Sequence, residues 1–563
     1  MRAPLPLAAV AIACAPGDRT SVPPADLVLR GGAVYTVDAA RSWATAVAVR
    51  DGRIVYVGTD SVPRGLIGPS TVVEDLDGRM VLPGFQDGHV HLVQGGVELG
   101  ECALFTLDRQ EIADSIRACA AAHPDAPWVR GSGWELPAFH QANPSKELLD
   151  SLVPDRPAVF DAFDGHSSWA NTKALALAGI TRATPDPLDG RIERDARTGE
   201  PSGTLRESAV ALVSALLPER TDAELLAGLK RAQNLANAAG ITAALEGWTS
   251  ERNLRALAGA DSAGTLTLRV VAALDGEPDS TGIDGLTRRL ATLRARYRSD
   301  HVRPTTVKLY EDGVIESGTA ALLAPYLDRK DDAGKPIFAQ PTLDSLVGAL
   351  DRDGWQVHVH AIGDRAIRMT LDAFEQARRA NGARDARHTM THLQLIDPAD
   401  IPRFRDLQVL ANFQPLWANG DEYITRLAEP QLGTARSRWI YPIASVVKSG
   451  AVVSGGSDWS VSSIAPLDGI QVAITRRAPE DPPRTPWRPE EVVDLPTAIA
   501  MYTINAAYQL GHERETGSIE VGKSADLVVL ERNLFAAAAS EIHRVKVVRT
   551  LLEGRTVYQN KLR

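Results

Sequence analysis

Residues 81–92 read VLPGFQDGHVHL, and His89 and His91 decide how the rest of the chain is read. On a β-strand successive side chains point to opposite faces, so positions two apart share a face. A strand carrying His-x-His therefore aims two imidazoles at one point. Pro83-Gly84 and the run Gln86-Asp87-Gly88 suggest a strand end rather than a strand middle. Two neutral imidazoles on one face are half of a site for a divalent transition metal. A pair of hydrogen-bonded core histidines is the alternative, so the question is whether the chain supplies the other half.

It does, in four further apolar stretches. PTTVKLYEDG carries Lys308, WQVHVHAIGD carries His358 and His360, RHTMTHLQLI carries His392, and AVVSGGSDWSV carries Asp458 just after a Gly-rich break. Each polar residue sits at or near the C-terminal end of its run. Buried singly, such groups would be costly. Converging on a shared cation, they would not.

Further strand-like runs occur at 240–248 (GITAALEGW), 266–275 (LTLRVVAALD) and 408–416 (QVLANFQPL), giving eight with the His89 strand. Helical patterns such as GDRAIRMTLDAFEQARRANG lie between most of them. Eight strands alternating with helices predict an α/β fold, a closed (β/α)8 TIM barrel over residues 81–504. In that fold chemistry sits at the C-terminal strand ends, where all the polar candidates fall. The gap of about 150 residues after the first strand is far too long for a βα connection. It predicts an inserted subdomain over 100–235 that overhangs the site as a lid. Short strands split by Gly and Asp turns fill 26–80 and return in 505–563, predicting one β domain built from both termini. Residues 16–25 (PGDRTSVPPA) read as a linker.

The 563 residues are 44% hydrophobic and 23% charged, ordinary for a globular chain. A net charge of −10 without a Lys/Arg-rich run argues against a nucleic-acid partner. Cys102 and Cys119 offer no disulfide framework and read as two small core or surface residues. MRAPLPLAAVAIAC resembles a short lipoprotein signal ending at a lipid-anchored Cys14, although Pro4 and Pro6 interrupt it. A periplasmic or membrane-anchored location follows if residues 1–14 are such a signal, within a signal-and-linker segment 1–25, and a cytoplasmic one otherwise. No other stretch has the roughly 18 unbroken apolar residues of a membrane span.

With these residues assembled, the chain resembles the amidohydrolase superfamily, and more narrowly amidohydrolase family 3, the group that includes N-substituted formamide deformylases. The resemblance runs from about Asp26 to Arg563. It rests on PGFQDGHVHL, DGHSSWANTKALALAGI, PSGTLRES, VKLYEDG, VHAIGDRA, THLQL, GSDWSV, TAIAMYTINAAYQLG and TGSIEVGKSADLVVL, in that order. It implies a distorted barrel with a composite β-sandwich from both chain ends. A small-molecule substrate is the expected partner and a homodimer the expected assembly. It also implies metal ligation by His89, His91, Lys308, His360, His392 and Asp458, with Lys308 carboxylated where two metals are bridged. Relatives commonly carry Glu before the sixth-strand histidine, whereas this chain has Thr391.

An ammonium has no acceptor, so Lys308 binds a cation only after burial lowers its pKa and CO₂ converts it to a carbamate. An uncarboxylated lysine paired with Glu311 or Asp312 is the alternative. For Asp458 the alternative is a helix cap, and His358 reads as a barrel-core residue or a support for the ligands. Trp134, His166 and Trp169, in the insertion, are expected to face the substrate, with His166 also near the developing oxyanion. The expected chemistry is hydrolysis of a non-peptide C–N bond by water activated on one or two divalent ions, zinc suiting the imidazole-rich set. Asp458 is the expected proton carrier. An ester or lactone at the same site, and a non-catalytic scaffold, are the alternatives.

Overall fold

Eight strands form one parallel sheet in the computed structural model, which describes residues 23–480 and 485–560. In chain order they are β1 (Phe85–Val90), β2 (Ile241–Thr249), β3 (Arg269–Asp275), β4 (Val302–Tyr310), β5 (Gln356–Ala361), β6 (Thr389–His392), β7 (Leu410–Phe413) and β8 (Val453–Gly455). Each pairs in parallel with the next, as in Lys308↔His358 and His360↔Thr391. A parallel sheet covered on both faces is buried at nearly every position. β1, β6, β7 and β8 are buried throughout, although they carry Gln86, Asp87, His89, Thr391, His392 and Asn412, among them the polar groups that build and brace the site.

The seam between β8 and β1 closes just beyond the strand ends. Asp458 N donates to His89 O at 2.7 Å, and His91 N donates to Trp459 O at 2.7 Å. Gln509 Nε2 donates to Gly88 O at 2.7 Å, from the helix Ile504–Gln509. A Cβ at Gly456 would lie 2.8 Å from His89 N, and one at Gly88 would lie 2.4 Å from Asn412 Nδ2. Glycine is what lets the two edges come this close.

A second domain has a four-stranded sheet ordered Arg53–Gly58, Ala46–Arg50, Leu27–Arg30 and Val72–Asp75. Its six-stranded partner mixes Met80–Pro83 and Ala33–Tyr35 with Leu527–Leu530, Val547–Leu552 and Arg555–Gln559 from the other chain end. Met80–Pro83 thus belongs to this domain rather than to the barrel, and Gly84 is the joint. A Cβ there would lie 2.4 Å from Thr242 Oγ1.

Between β1 and β2 lies a separate six-stranded sheet, from Cys102–Thr106 to Pro201–Glu207. The expected insertion reached residue 235, but the helix Asp222–Ala238 lies on the barrel. Its Leu225, Leu229 and Ala232 join the barrel core, and a Cβ at Gly96 would lie 2.1 Å from Gly228 O. Cys102 and Cys119 correct the reading of two unlinked residues. The helix Arg109–Ala122 folds back along its preceding strand and brings their Cα atoms to 5.9 Å as a disulfide. Among the described residues no helix is long and apolar enough to cross a membrane. The expected signal and Cys14 lie outside the described residues.

Candidate active site

The C-terminal ends of β1, β6 and β8 deliver His89, His91, His392 and Asp458 to one place. Asp458 Oδ1 lies 3.2 Å from His89 Nε2 and 3.1 Å from His91 Nε2, and Asp458 Oδ2 lies 3.8 Å from His392 Nδ1. One ligand atom from each of His89, His392 and Asp458 can be chosen within 4.8 Å of the others. His360 joins through its ring, 4.6 Å from that of His392, while its Nε2 lies 3.3 Å from Gly313 O. His392 and Asp458 have positive φ, 77° and 52°, where non-glycine residues are uncommon and strain collects at working sites.

Neighbours orient the rings. His89 Nδ1 is 2.7 Å from His358 Nε2, and His392 Nδ1 is 2.9 Å from Gln414 Oε1. Gln414 is held in turn by Thr391 Oγ1 and Asn412 Oδ1. Thr391, the departure from the family pattern, thus supports the residue that orients His392. Asp87 accepts from His89 N and Ser457 N, both at 3.0 Å, and ties β1 to the turn carrying Asp458.

This donor set fits a divalent cation. His89 Nε2 and Asp458 Oδ1 are buried, face each other and have no hydrogen-bond partner among the described residues. Such groups demand a partner, and an imidazole nitrogen beside a carboxylate oxygen is a chelating pair. Burial first, and then the positive neighbours, hold His89, His358 and His360 well below the ordinary histidine pKa, in the neutral form that a metal requires. Burial alone would raise the Asp458 carboxyl. The nearby His91 and His392 rings and Lys308 outweigh it and keep it an anion.

Lys308 is 2% exposed, and its Nζ lies 4.6 Å from the centre of the Tyr310 ring. Burial lowers its ammonium to about 7 against the opposing pull of Asp458. Among the described residues neither alternative pairing of Lys308 is formed: the Glu311 carboxylate has no hydrogen-bond partner, and Asp312 accepts from the backbone N–H groups of Ala321, Ile362 and Gly363.

His166 reaches the site from the insertion, its ring 5.1 Å from that of His360. Its Nδ1 meets Glu207 Oε2 at 2.8 Å, and Thr319 Oγ1 donates to Glu207 Oε1 at 2.6 Å. Burial would lower the imidazolium pKa, but Glu207 and Asp164 outweigh it and raise it to about 9. Glu207 is the penultimate residue of the PSGTLRES motif, and its φ of 49° is not visible in that motif.

Trp134 and Trp169, expected to face substrate, do not reach the cavity. Both are fully buried in the core of the insertion, where their indoles donate to Phe160 O and Ser145 O. Their size made them better core fillers than contacts. The aromatic residues that line the cavity, of about 990 Å³, are Phe105, Phe163, Trp248, Tyr310 and Phe338.

A family model described as "Amidohydrolase family" matches residues 72–558. The chain is 30% identical over 548 residues to Protein LONG AFTER FAR-RED 3 of Arabidopsis thaliana, covering 95% of this chain and 92% of that protein. It is 30% identical over 552 residues to an N-substituted formamide deformylase of Arthrobacter pascens, covering 95% and 98%. Among solved structures, an uncharacterized metal-dependent hydrolase from Pyrococcus horikoshii OT3 superposes with a TM-score of 0.72 at 22% identity, covering 91% of this chain and 99% of that one. The last likeness concerns the fold alone.

Proposed function

The chain belongs to the amidohydrolase family, and on that premise we propose that it hydrolyses a non-peptide C–N bond of the N-formyl or N-acyl type. The observation that carries the reading is the facing pair of buried, unsatisfied ligand atoms, His89 Nε2 and Asp458 Oδ1. The relative named as a formamide deformylase supports the bond type.

His89, His91, His360, His392 and Asp458 would hold the cation, and zinc suits a set so rich in imidazole. Lys308, buried and with a lowered pKa, is suited to carboxylation and to bridging a second ion. When bound, a divalent cation supplies a Lewis acid and water acidified from a pKa of 15.7 to about 7. Asp458 takes the proton of the attacking water on its carboxylate and returns it to the leaving nitrogen, base and then acid. His166, steadied by Glu207, faces the oxygen on which negative charge develops. The insertion closes over the reacting groups and limits water.

The disulfide supports a second proposal, that the protein works in an oxidising compartment. The hydrolytic reading is tested by assaying formamides, N-acyl amino acids and esters with metal-loaded protein. Turnover of the amides with the esters inert supports it. Turnover of esters alone moves the chemistry to C–O bonds, and an inert panel sinks it.

A further inference from the structure

The cavity wall on the side of the insertion has a chemical character that hydrolysis does not use. It is built by the strands Val129–Trp134 and Ala158–Ala162, which place Ser132 opposite Asp161. Opposed residues on neighbouring strands share a face, and both of these line the cavity. Ser132 is 7% exposed, and its Oγ has no hydrogen-bond partner among the described residues. A buried hydroxyl left that way is costly, so a partner supplied by a ligand is its natural complement.

Asp161 accepts one hydrogen bond, from Ser168 Oγ. Glu98, which also lines the cavity, accepts from Gln94 Nε2 and Ser460 Oγ. A carboxylate has about four acceptor positions, so both retain capacity. Desolvation within the cavity wall first, and then the charges of Glu98 and Glu101, push the Asp161 carboxyl up to about 6 against the Ser168 hydrogen bond. Among the described residues no basic side chain pairs with Asp161. Of the basic groups that line the cavity, Arg191 is taken by Glu193 Oε1 and Ser317 O, Lys308 lies over Tyr310 at the barrel mouth, His166 is held by Glu207, and Lys335 belongs to the loop after β4.

Phe105 and Phe163 line the same cavity and pack edge to face, with centroids 5.8 Å apart. Phe105 is 46% exposed, unusual for so large an apolar ring. Carboxylates, an unfilled hydroxyl and open aromatic faces together match an organic ammonium. Its N–H groups need acceptors, and its charge and carbon chain favour aromatic rings.

We propose that this wall is a subsite for an ammonium group of the substrate, answered by Asp161, Glu98 and Ser132, with Phe105 and Phe163 against the adjoining carbons. The assignment rests on the cavity being the substrate site. The amide would then carry a cationic amine away from its scissile carbonyl, and substrates with a carboxylate there would be disfavoured.

The test is calorimetric titration of metal-loaded protein with n-hexylammonium, n-hexanol and n-hexanoate. The ammonium should bind about tenfold tighter than the alcohol at low salt, and the carboxylate weakest, with the advantage shrinking as ionic strength rises. Asp161→Asn should remove the advantage. Ser132→Ala should weaken the ammonium more than the alcohol, which keeps the test open if the first variant does not fold. Equal binding of ammonium and alcohol, or a preference that survives both substitutions, overturns the assignment. Hydrolysis of uncharged amides, followed on the same preparations, reports on the reaction separately. Turnover without ammonium preference removes the subsite and leaves the hydrolase.

Discussion

His89 presents Nδ1 to His358 and Nε2 to Asp458, and His392 is held through its Nδ1 by Gln414. A neighbour thus fixes the orientation of each of these two rings. Replacing Gln414 by Ala should therefore weaken metal binding about 10- to 100-fold, read by competition with a chelating dye. Asp458→Asn keeps a ligand oxygen but loses the base. Turnover should fall by at least about 100-fold while most bound metal remains, and full activity in that variant would remove Asp458 from the reaction. Most barrel ligands were legible in the chain because they follow a short apolar run, where burial of a lone polar group demands a reason; for His89 and His91 the His-x-His spacing carried the reading, since the run before them belongs to the sandwich. Glu207, Asp161 and Ser132 were not singled out because they reach the cavity from the insertion. There, position is set by how a second sheet folds over the barrel and not by any spacing along the chain. The same ignorance of that fold made Trp134 and Trp169 look like substrate contacts.

The meeting of β8 and β1 depends on two glycines more than on strand pairing. Gly456→Ala puts a methyl group against the backbone of His89, so the seam must open. It should lower stability by about 1–3 kcal/mol, measured by chemical unfolding, and loosen the metal. The loop after Ile504–Gln509 carries His512, buried with both ring nitrogens unpartnered among the described residues. Burial, with Arg303 and Arg269 nearby, depresses its pKa to about 3. The unfolded chain, with an ordinary pKa of about 6.5, binds a proton first as pH falls. Stability is then complete above about 6.5 and is lost progressively toward 3. His512→Leu should flatten the fall in melting temperature between about pH 6 and 4; an unchanged slope would assign acid sensitivity elsewhere. Barrel strands such as β2 and β3 were legible from their apolar composition, whereas β1, FQDGHV, was legible from its His-x-His pair, because the apolar run before it belongs to the sandwich. The helix Asp222–Ala238 could not be assigned, because an amphipathic helix does not state which sheet it covers.

Across the whole molecule, both chain ends build one sandwich, the middle builds the barrel, and the insertion roofs the site under a disulfide. That bond closes a short loop, worth roughly 3 kcal/mol in loop entropy. Cys119→Ser should lower the unfolding midpoint of the insertion and leave the metal content unchanged. The architecture was legible because spacing between strands reports topology. The disulfide was not, since two cysteines 17 apart carry no pairing information until a helix folds back. The central claim is that the barrel mouth encircles a divalent cation. Elemental analysis of protein purified without chelator, beside a His89→Ala, His392→Ala double variant, tests it most directly. One or two equivalents per chain in the wild type, lost in the folded variant, is the predicted result; a wild type with almost no metal, or a variant that keeps it, contradicts the account.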